Sequence, residues 1–214
     1  LTPKIDKKSQ ANEVAKRLKA TYPEVEIALN FNSPFELLIA TILSAQCTDA
    51  RVNIVTQTLF QKFKNPQDFS TATLEEIEKE IFSTGFYKQK AKSLKNCSEI
   101  LVTQYGGEVP KDFDILRQLP GVGRKTASVV VGNAYGIPAI AVDTHVKRLS
   151  NLLGLVEVSD PEKIESDLKE LLDPVEWVSF SHLLATHGRN VCFARKPECN
   201  RCILNDLCPS VTNM

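Results

Sequence analysis

The chain has 214 residues, 43% of them apolar and 24% charged, which excludes a disordered or fibrous polypeptide. A compact chain of this size buries about 70% of its unfolded surface, enough for one core or two small ones. Lysine plus arginine number 26 and aspartate plus glutamate 26, so no basic excess points to a nucleic-acid partner, and the placement of charge must decide.

No apolar run reaches the roughly eighteen residues of a membrane span. The leading LTPKIDKKSQ has no signal-peptide core and no initiating Met, which fits processing or trimming. The expectation is an intracellular, non-secreted protein with no membrane partner.

The pattern is helical almost throughout. Ser33, Pro34 and Glu36 supply a cap, a first-turn proline and an acid at the third helical position. The following LLIATILSAQC is apolar on most sides and reads as a central helix. Val52, Val55, Leu59 and Phe63 continue with helical spacing. Thr73 and Glu76 form a capping-box pattern before Ile77 and Ile81. Ala91, Leu94 and Leu101 mark a helix ending at Gly106 and Gly107. Two short helices flank Leu119–Gly123. Further starts fall at Asp143, Asp160 and Asp173, and a Trp177, Phe180, Leu184 stripe ends near Gly188. Val129–Val131 and Ile140–Val142 could be strand pieces, but nothing supplies a sheet around them. The class is all-α.

Charge is segregated. Glu157–Glu176 holds eight acids and two lysines, Lys111–Arg148 six basic residues and three acids, and Arg189–Cys208 four basic residues and two acids. A neutral total is compatible with one positive and one negative side.

The sharpest local feature is Leu119-Pro120-Gly121-Val122-Gly123-Arg124-Lys125-Thr126-Ala127. Its glycines permit positive φ and close backbone approach, and the first amides of a helix starting at Arg124 can hold a phosphate oxygen. The alternative is a plain tight turn between packed helices. The spacing is not that of a Walker loop. The pattern resembles a helix-hairpin-helix element.

Cys192, Cys199, Cys202 and Cys208 are separated by six, two and five residues. Four thiolates in one loop suit zinc or an iron–sulfur cluster. Only one close pair occurs, and the long first spacing suits a cubane better than zinc. Four cysteine ligands leave no open position, so the centre reads as a clamp displaying Arg189, Arg195, Lys196 and Arg201. Cys47 and Cys97 read as core thiols.

A neutral amine at Lys125, on the first turn after the glycines, can attack a sugar C1′ and form an imine. The alternative is a phosphate-binding or solvated lysine. Asp143 reads as an N-cap and equally as a carboxylate assisting proton transfer, two roles that are compatible. His145, His182 and His187 match no metal or triad spacing and read as structural or phosphate-facing.

With LSAQCTD at Leu43–Asp49, LPGVGRKTA at Leu119–Ala127, VDTHVKRL at Val142–Leu149 and HGRNVCFARKPECNRCILNDLC at His187–Cys208, the chain resembles the endonuclease III family of bifunctional DNA glycosylase/AP lyases over nearly its whole length. The resemblance implies one [4Fe-4S] cluster per chain on Cys192, Cys199, Cys202 and Cys208. It implies Lys125 as nucleophile with Asp143 as partner. It implies excision of oxidised or ring-damaged pyrimidines from duplex DNA, then β-elimination at the abasic site through a Lys125 Schiff base. DNA-backbone contacts are expected from Gly121, Val122, Gly123, Arg124, Thr126, His145, Lys147, Arg148 and Arg189. Gln46 and Phe86 are expected as wedges; many relatives carry Leu where Phe86 stands. The implied fold is a helix-hairpin-helix glycosylase with two helical domains flanking a DNA cleft: a six-helix barrel at 28–136, and a discontinuous domain of 1–27 and 137–214 with the cluster loop at 187–208. The protein is expected to act as a monomer, cytoplasmic or nucleoid-associated in a bacterium. Two other classes compete: a monofunctional relative acting on mismatched adenine, disfavoured by Lys125 and the short C-terminus, and a noncatalytic DNA-binding or electron-transfer protein, which would not need Lys125 with Asp143 and whose pure electron-transfer form is disfavoured by the cysteine spacing.

Overall fold

The computed structural model describes residues 6–211. The first five residues of the LTPKIDKKSQ segment read above therefore lie outside the described residues. Every regular element is helical: α1 (Lys7–Thr21), α2 (Pro34–Leu43), α3 (Asp49–Lys62), α4 (Pro66–Thr71), α5 (Leu74–Ile81), α6 (Tyr87–Tyr105), α7 (Phe113–Leu116), α8 (Arg124–Tyr135), α9 (Thr144–Leu152), α10 (Pro161–Leu171) and α11 (Trp177–Asn190), with 3₁₀ turns at Phe82–Thr84, Pro174–Glu176 and Cys199–Arg201. No strand occurs among the described residues. Val129–Val131 belong to α8, and Ile140–Val142 form an irregular segment whose Ala141 amide donates to Ser181 Oγ at 3.2 Å. No helix is long and apolar enough to cross a membrane.

The chain divides into two compact units, Ile27–Ile137 and Leu1–Glu26 with Pro138–Met214. In the first, α2 is central because eight of its ten residues are buried. Ser33 caps it, accepting from the Glu36 amide at 3.1 Å. It packs against α3, α6 and α8, while α4 and α5 lie on α6. The Thr73–Glu76 capping box forms in both directions, at 2.8 and 3.2 Å. Such reciprocal bonds satisfy two of the amide donors that every helix start leaves open. Lys95 finishes α4 from outside, donating to the Ser70 and Ala72 carbonyls at 2.6 and 2.8 Å.

The LLIATILSAQC helix is shorter than its apolar run suggests. It ends at Leu43, Gln46 adopts φ 52°, and Thr48 caps α3 by accepting from the Arg51 amide at 3.3 Å. Cys47 consequently lies half-buried in a turn and not in the core, whereas Cys97 is fully buried and its thiol is pushed up to about 12 by that burial.

The second unit packs α1, α9, α10 and α11 around Val14, Leu18, Val146, Leu149, Ile164, Leu168, Phe180 and Leu184. Helix α1 also braces the cysteine segment. Gln10 Nε2 donates to the carbonyls of Leu153 and Leu207, both at 2.8 Å, and Arg17 reaches the Ile203 carbonyl and the Asp206 carboxylate. Gly188 does not end α11 but lies inside it. A Cβ there would stand 2.5 Å from His145 Nδ1, so the bare backbone is what allows α11 to approach α9.

Candidate functional site

The hairpin is built in the Ile27–Ile137 unit from α7, the turn at 117–123 and α8. Asp112 caps α7, its Oδ1 accepting from the Asp114 and Ile115 amides at 2.9 Å each. The Val122 amide then donates to the Leu119 carbonyl at 3.0 Å, closing the turn, and both side chains are buried. Gly121 has φ +79°, and a Cβ on it would lie 2.8 Å from Ser93 Cβ on α6. Conformation and packing both demand glycine there. Gly123 differs. Its φ is −90° and a Cβ would meet nothing within 4 Å. The fold itself therefore does not need glycine at this position.

Gly123 is the N-cap of α8 and brings no side chain to its amides, and the first turn holds no acid. That end of the helix carries partial positive charge and donors suited to an anion. Lys125 is exposed on this first turn, Thr126 is half-buried beside it, and the Arg124 guanidinium stacks 5.3 Å from the Phe113 ring centroid.

The other candidate residues of the Ile27–Ile137 unit are Gln46 and Phe86. Both are exposed, Phe86 to 66%, and both have φ near +50°. These are the left-handed non-glycine residues of this unit among the described residues. Side chains with a Cβ adopt that region at a cost, and such outliers gather where function requires them.

In the second unit, Asp143 is the N-cap of α9, its Oδ1 accepting from the Val146 amide at 2.7 Å. The capping half of the sequence reading is thus realised. His145 and Arg148 follow on the same helix, with Arg148 Nη2 3.3 Å from His145 Nδ1 and bonded to the Gly188 carbonyl at 3.4 Å. Lys147 is exposed on α9, and Arg189 is exposed near the end of α11.

Cys192, Cys199, Cys202 and Cys208 all line one cavity, walled by Leu149, Leu152, Leu153, Val191 and Leu204. None is in a disulfide. Yet no three His, Cys, Asp or Glu side chains among the described residues converge closely enough for one metal ion. Four thiols at the rim with an apolar wall behind form a soft donor set that suits an iron–sulfur centre. Burial pushes the Cys192 and Cys202 thiols up. Arg148 Nη1 donates toward Cys192 Sγ at 3.6 Å. His187 lies 3.3 Å from Cys202 Sγ by Nε2 and 3.2 Å from the Tyr22 hydroxyl by Nδ1. Sequence patterns gave His187 a structural role without naming these partners. Tyr22 went unnoticed because it is 165 positions away.

A hairpin turn opening a bare helix end in one all-α unit, together with a four-cysteine cavity in the other, is the pattern of an iron–sulfur DNA glycosylase of the helix-hairpin-helix class. The comparisons with known proteins agree. The family model of HhH-GPD superfamily base excision DNA repair proteins matches residues 39–174, and that of the iron–sulfur binding domain of endonuclease III matches 192–208. The chain is 48% identical over 205 residues to endonuclease III of Synechocystis sp., covering 95% of this chain and 94% of the relative. A solved non-covalent endonuclease III–DNA complex matches with TM-score 0.93 at 43% identity, covering 96% of this chain and 97% of that one. A trapped endonuclease III–DNA covalent intermediate matches equally well. The chain belongs to the endonuclease III family of HhH-GPD DNA glycosylase/AP lyases with an iron–sulfur binding domain.

Proposed function

We propose that this chain performs base excision repair on duplex DNA, releasing damaged pyrimidines and cutting the abasic strand with Lys125 as nucleophile and Asp143 as its proton-handling partner. The observation that carries the reading is the hairpin's helix end: an exposed lysine on the first turn of α8, behind a glycine whose missing side chain serves neither packing nor conformation. A bare Gly123 lets a phosphodiester approach the α8 amides, which positions the strand without reading bases.

The chemistry follows from an amine held beside a sugar. Neutral Lys125 Nζ attacks C1′, and the bond from C1′ to the damaged base breaks, its electron pair leaving on the base nitrogen, which takes a proton. The sugar ring opens to an iminium. Loss of a C2′ proton then expels the 3′ phosphate by β-elimination, and water hydrolyses the imine to restore the lysine. Asp143 suits the proton transfers because a carboxylate can accept and return them. Its α9 cap bond fixes the carboxylate's orientation, leaving Oδ2 for that work.

His145, Lys147, Arg148 and Arg189 serve as backbone contacts together with the hairpin amides of Gly121, Val122, Gly123, Arg124 and Thr126. Gln46 and Phe86 fill the space of an extruded base, exposed side chains that a stacked duplex can accept. Cys192, Cys199, Cys202 and Cys208 would hold the [4Fe-4S] cluster, and their ligation would order the basic loop bearing Arg195, Lys196 and Arg201. Residues 28–136 serve as the hairpin domain, and 1–27 with 137–214 as the cluster-bearing one. The protein works as a monomer, at the nucleoid if its cell is bacterial. The test is borohydride reduction on a duplex carrying thymine glycol. The wild-type chain should be captured covalently on DNA and Lys125→Ala should not; capture of Lys125→Ala at the wild-type level overturns the assignment.

A further inference from the structure

The catalytic reading leaves one buried charged group unused. Lys90, on α6, is only 5% exposed, and no carboxylate among the described residues pairs with it. Its Nζ instead donates to two backbone carbonyls, Leu43 at 2.8 Å and Thr84 at 2.9 Å. Burial lowers its pKa, with the neighbouring Cys47 opposing that effect. A buried ammonium is costly unless its hydrogen bonds are made, so a lysine retained here has a specific task.

The two carbonyls reveal it. Leu43 is the last residue of α2, and Thr84 is the last residue of the 3₁₀ turn Phe82–Thr84. Each carbonyl stands at a helix end, where acceptors lack intrahelical partners and partial negative charge accumulates. One ammonium thus closes two helix C-termini. The chain leaving the first reaches Gln46 three residues on, and the chain leaving the second reaches Phe86 two residues on. These are the two left-handed non-glycine residues noted above. Thr84 is itself anchored, buried to 2% with its hydroxyl donating to the Ile81 carbonyl at 2.8 Å. The same junction therefore fixes both departures into strained backbone.

We propose that Lys90 is a positioning residue that ties the Gln46 turn to the Phe86 turn, so that both side chains meet the duplex in one register as a base is extruded. This rests on the wedge role given to those two residues above. Lys90 touches no substrate. It acts by preventing either turn from relaxing out of its left-handed conformation independently of the other.

Substrates that differ in whether a base must be extruded test it. Lys90→Met keeps the apolar stem and removes the donors. Its release of thymine glycol from a fully paired duplex should fall about 10²-fold, the scale of a small misplacement remote from the chemistry. Borohydride trapping on an abasic site in a single strand, where nothing is extruded, should change less than about threefold by the same reasoning. Hydrogen exchange should quicken at 44–48 and at 84–87 together. Lys90→Gln retains one donor group and should show the same ratio more weakly, which keeps the test alive if the Met variant does not fold. Equal losses on both substrates, or quickened exchange in only one turn, overturn the proposal. Gln46→Ala and Phe86→Ala are run in parallel. If neither shows a duplex-specific loss, the wedge reading itself fails, and exchange coupled through Lys90 survives as a structural finding without the extrusion role.

Discussion

The hairpin and the cysteine loop both carry exposed basic side chains, yet they are held by opposite means. The hairpin is fixed by the protein alone: Asp112 caps one arm, buried Leu119 and Val122 pin the turn, and Gly121 fits against α6 with no space to spare. The loop from Val191 to Cys208 has only a 3₁₀ turn at Cys199–Arg201, and most of its side chains are exposed or half-buried. Its four thiols surround a cavity that a cluster would fill. The hairpin is thus built into the fold, while a loop of exposed basic side chains can be organised by a cofactor. The two should respond differently to perturbation.

The largest contrast is expected at Lys125. Lys125→Ala should remove base release and strand cleavage by on the order of 10³-fold or more, as loss of a nucleophile does, with little change in thermal unfolding. An equally large loss of activity in Arg195→Ala, with the cluster still bound, would break the division between chemistry and display.

Next is removal of the cluster. Iron chelation, or Cys202→Ser, should cost several kcal/mol in the unit containing α9–α11, because metal binding is linked to folding. Hydrogen exchange should rise across 191–208 while 119–127 keeps its protection. Loosening of the hairpin to the same degree would show that the two regions are one cooperative piece. Iron analysis should give about four atoms per chain, the content of a cubane.

Within the hairpin, the two glycines should part company. Gly121→Ala combines a positive φ with a 2.8 Å approach to Ser93 Cβ and should cost about 1–3 kcal/mol of stability. Gly123→Ala has open space and should change stability by less than about 0.5 kcal/mol, yet weaken binding to an abasic duplex severalfold. Equal binding by Gly123→Ala and wild type would refute a close phosphate approach.

The smallest effect is at the brace under the cysteine loop. Arg17 donates to both oxygens of Asp206 at 2.6 and 3.1 Å, and its guanidinium holds that carboxyl below the ordinary aspartate value of 3.8. A carboxyl depressed in the folded state contributes stability above the unfolded value, and that contribution is lost as pH falls through the folded one. Arg17→Met should return the Asp206 titration, followed by NMR, to the ordinary range and flatten this part of the acid limb below about pH 4. An unmoved Asp206 would remove the brace from the account.

Much of this was legible in the sequence, for reasons that vary by residue. Ser33, Thr73, Asp143 and Asp160 announced helix starts because capping is local chemistry, and each caps as expected. The Leu119–Ala127 turn was legible because its glycines are closely spaced. The run LLIATILSAQC misled, since apolar composition continues past Leu43 while the backbone turns at Gln46. Gly188 misled in the opposite direction: glycine usually marks an end, but here it marks the contact of α11 with His145. Lys90 gave no signal at all. A lysine on an amphipathic helix looks solvated, and only the fold brings the carbonyls of Leu43 and Thr84 to it.

The discontinuous unit has a consequence for how the molecule is made. Helix α1 is made before the Ile27–Ile137 unit, but its partners α10 and α11 are encoded more than a hundred residues later. The Ile27–Ile137 unit is complete by then and can close during synthesis, as domains generally fold in units. The cluster cysteines emerge after α11. Cluster loading can then take place on a chain whose hairpin is already formed, so a cell short of iron would accumulate molecules with a finished hairpin unit and an unorganised cysteine loop.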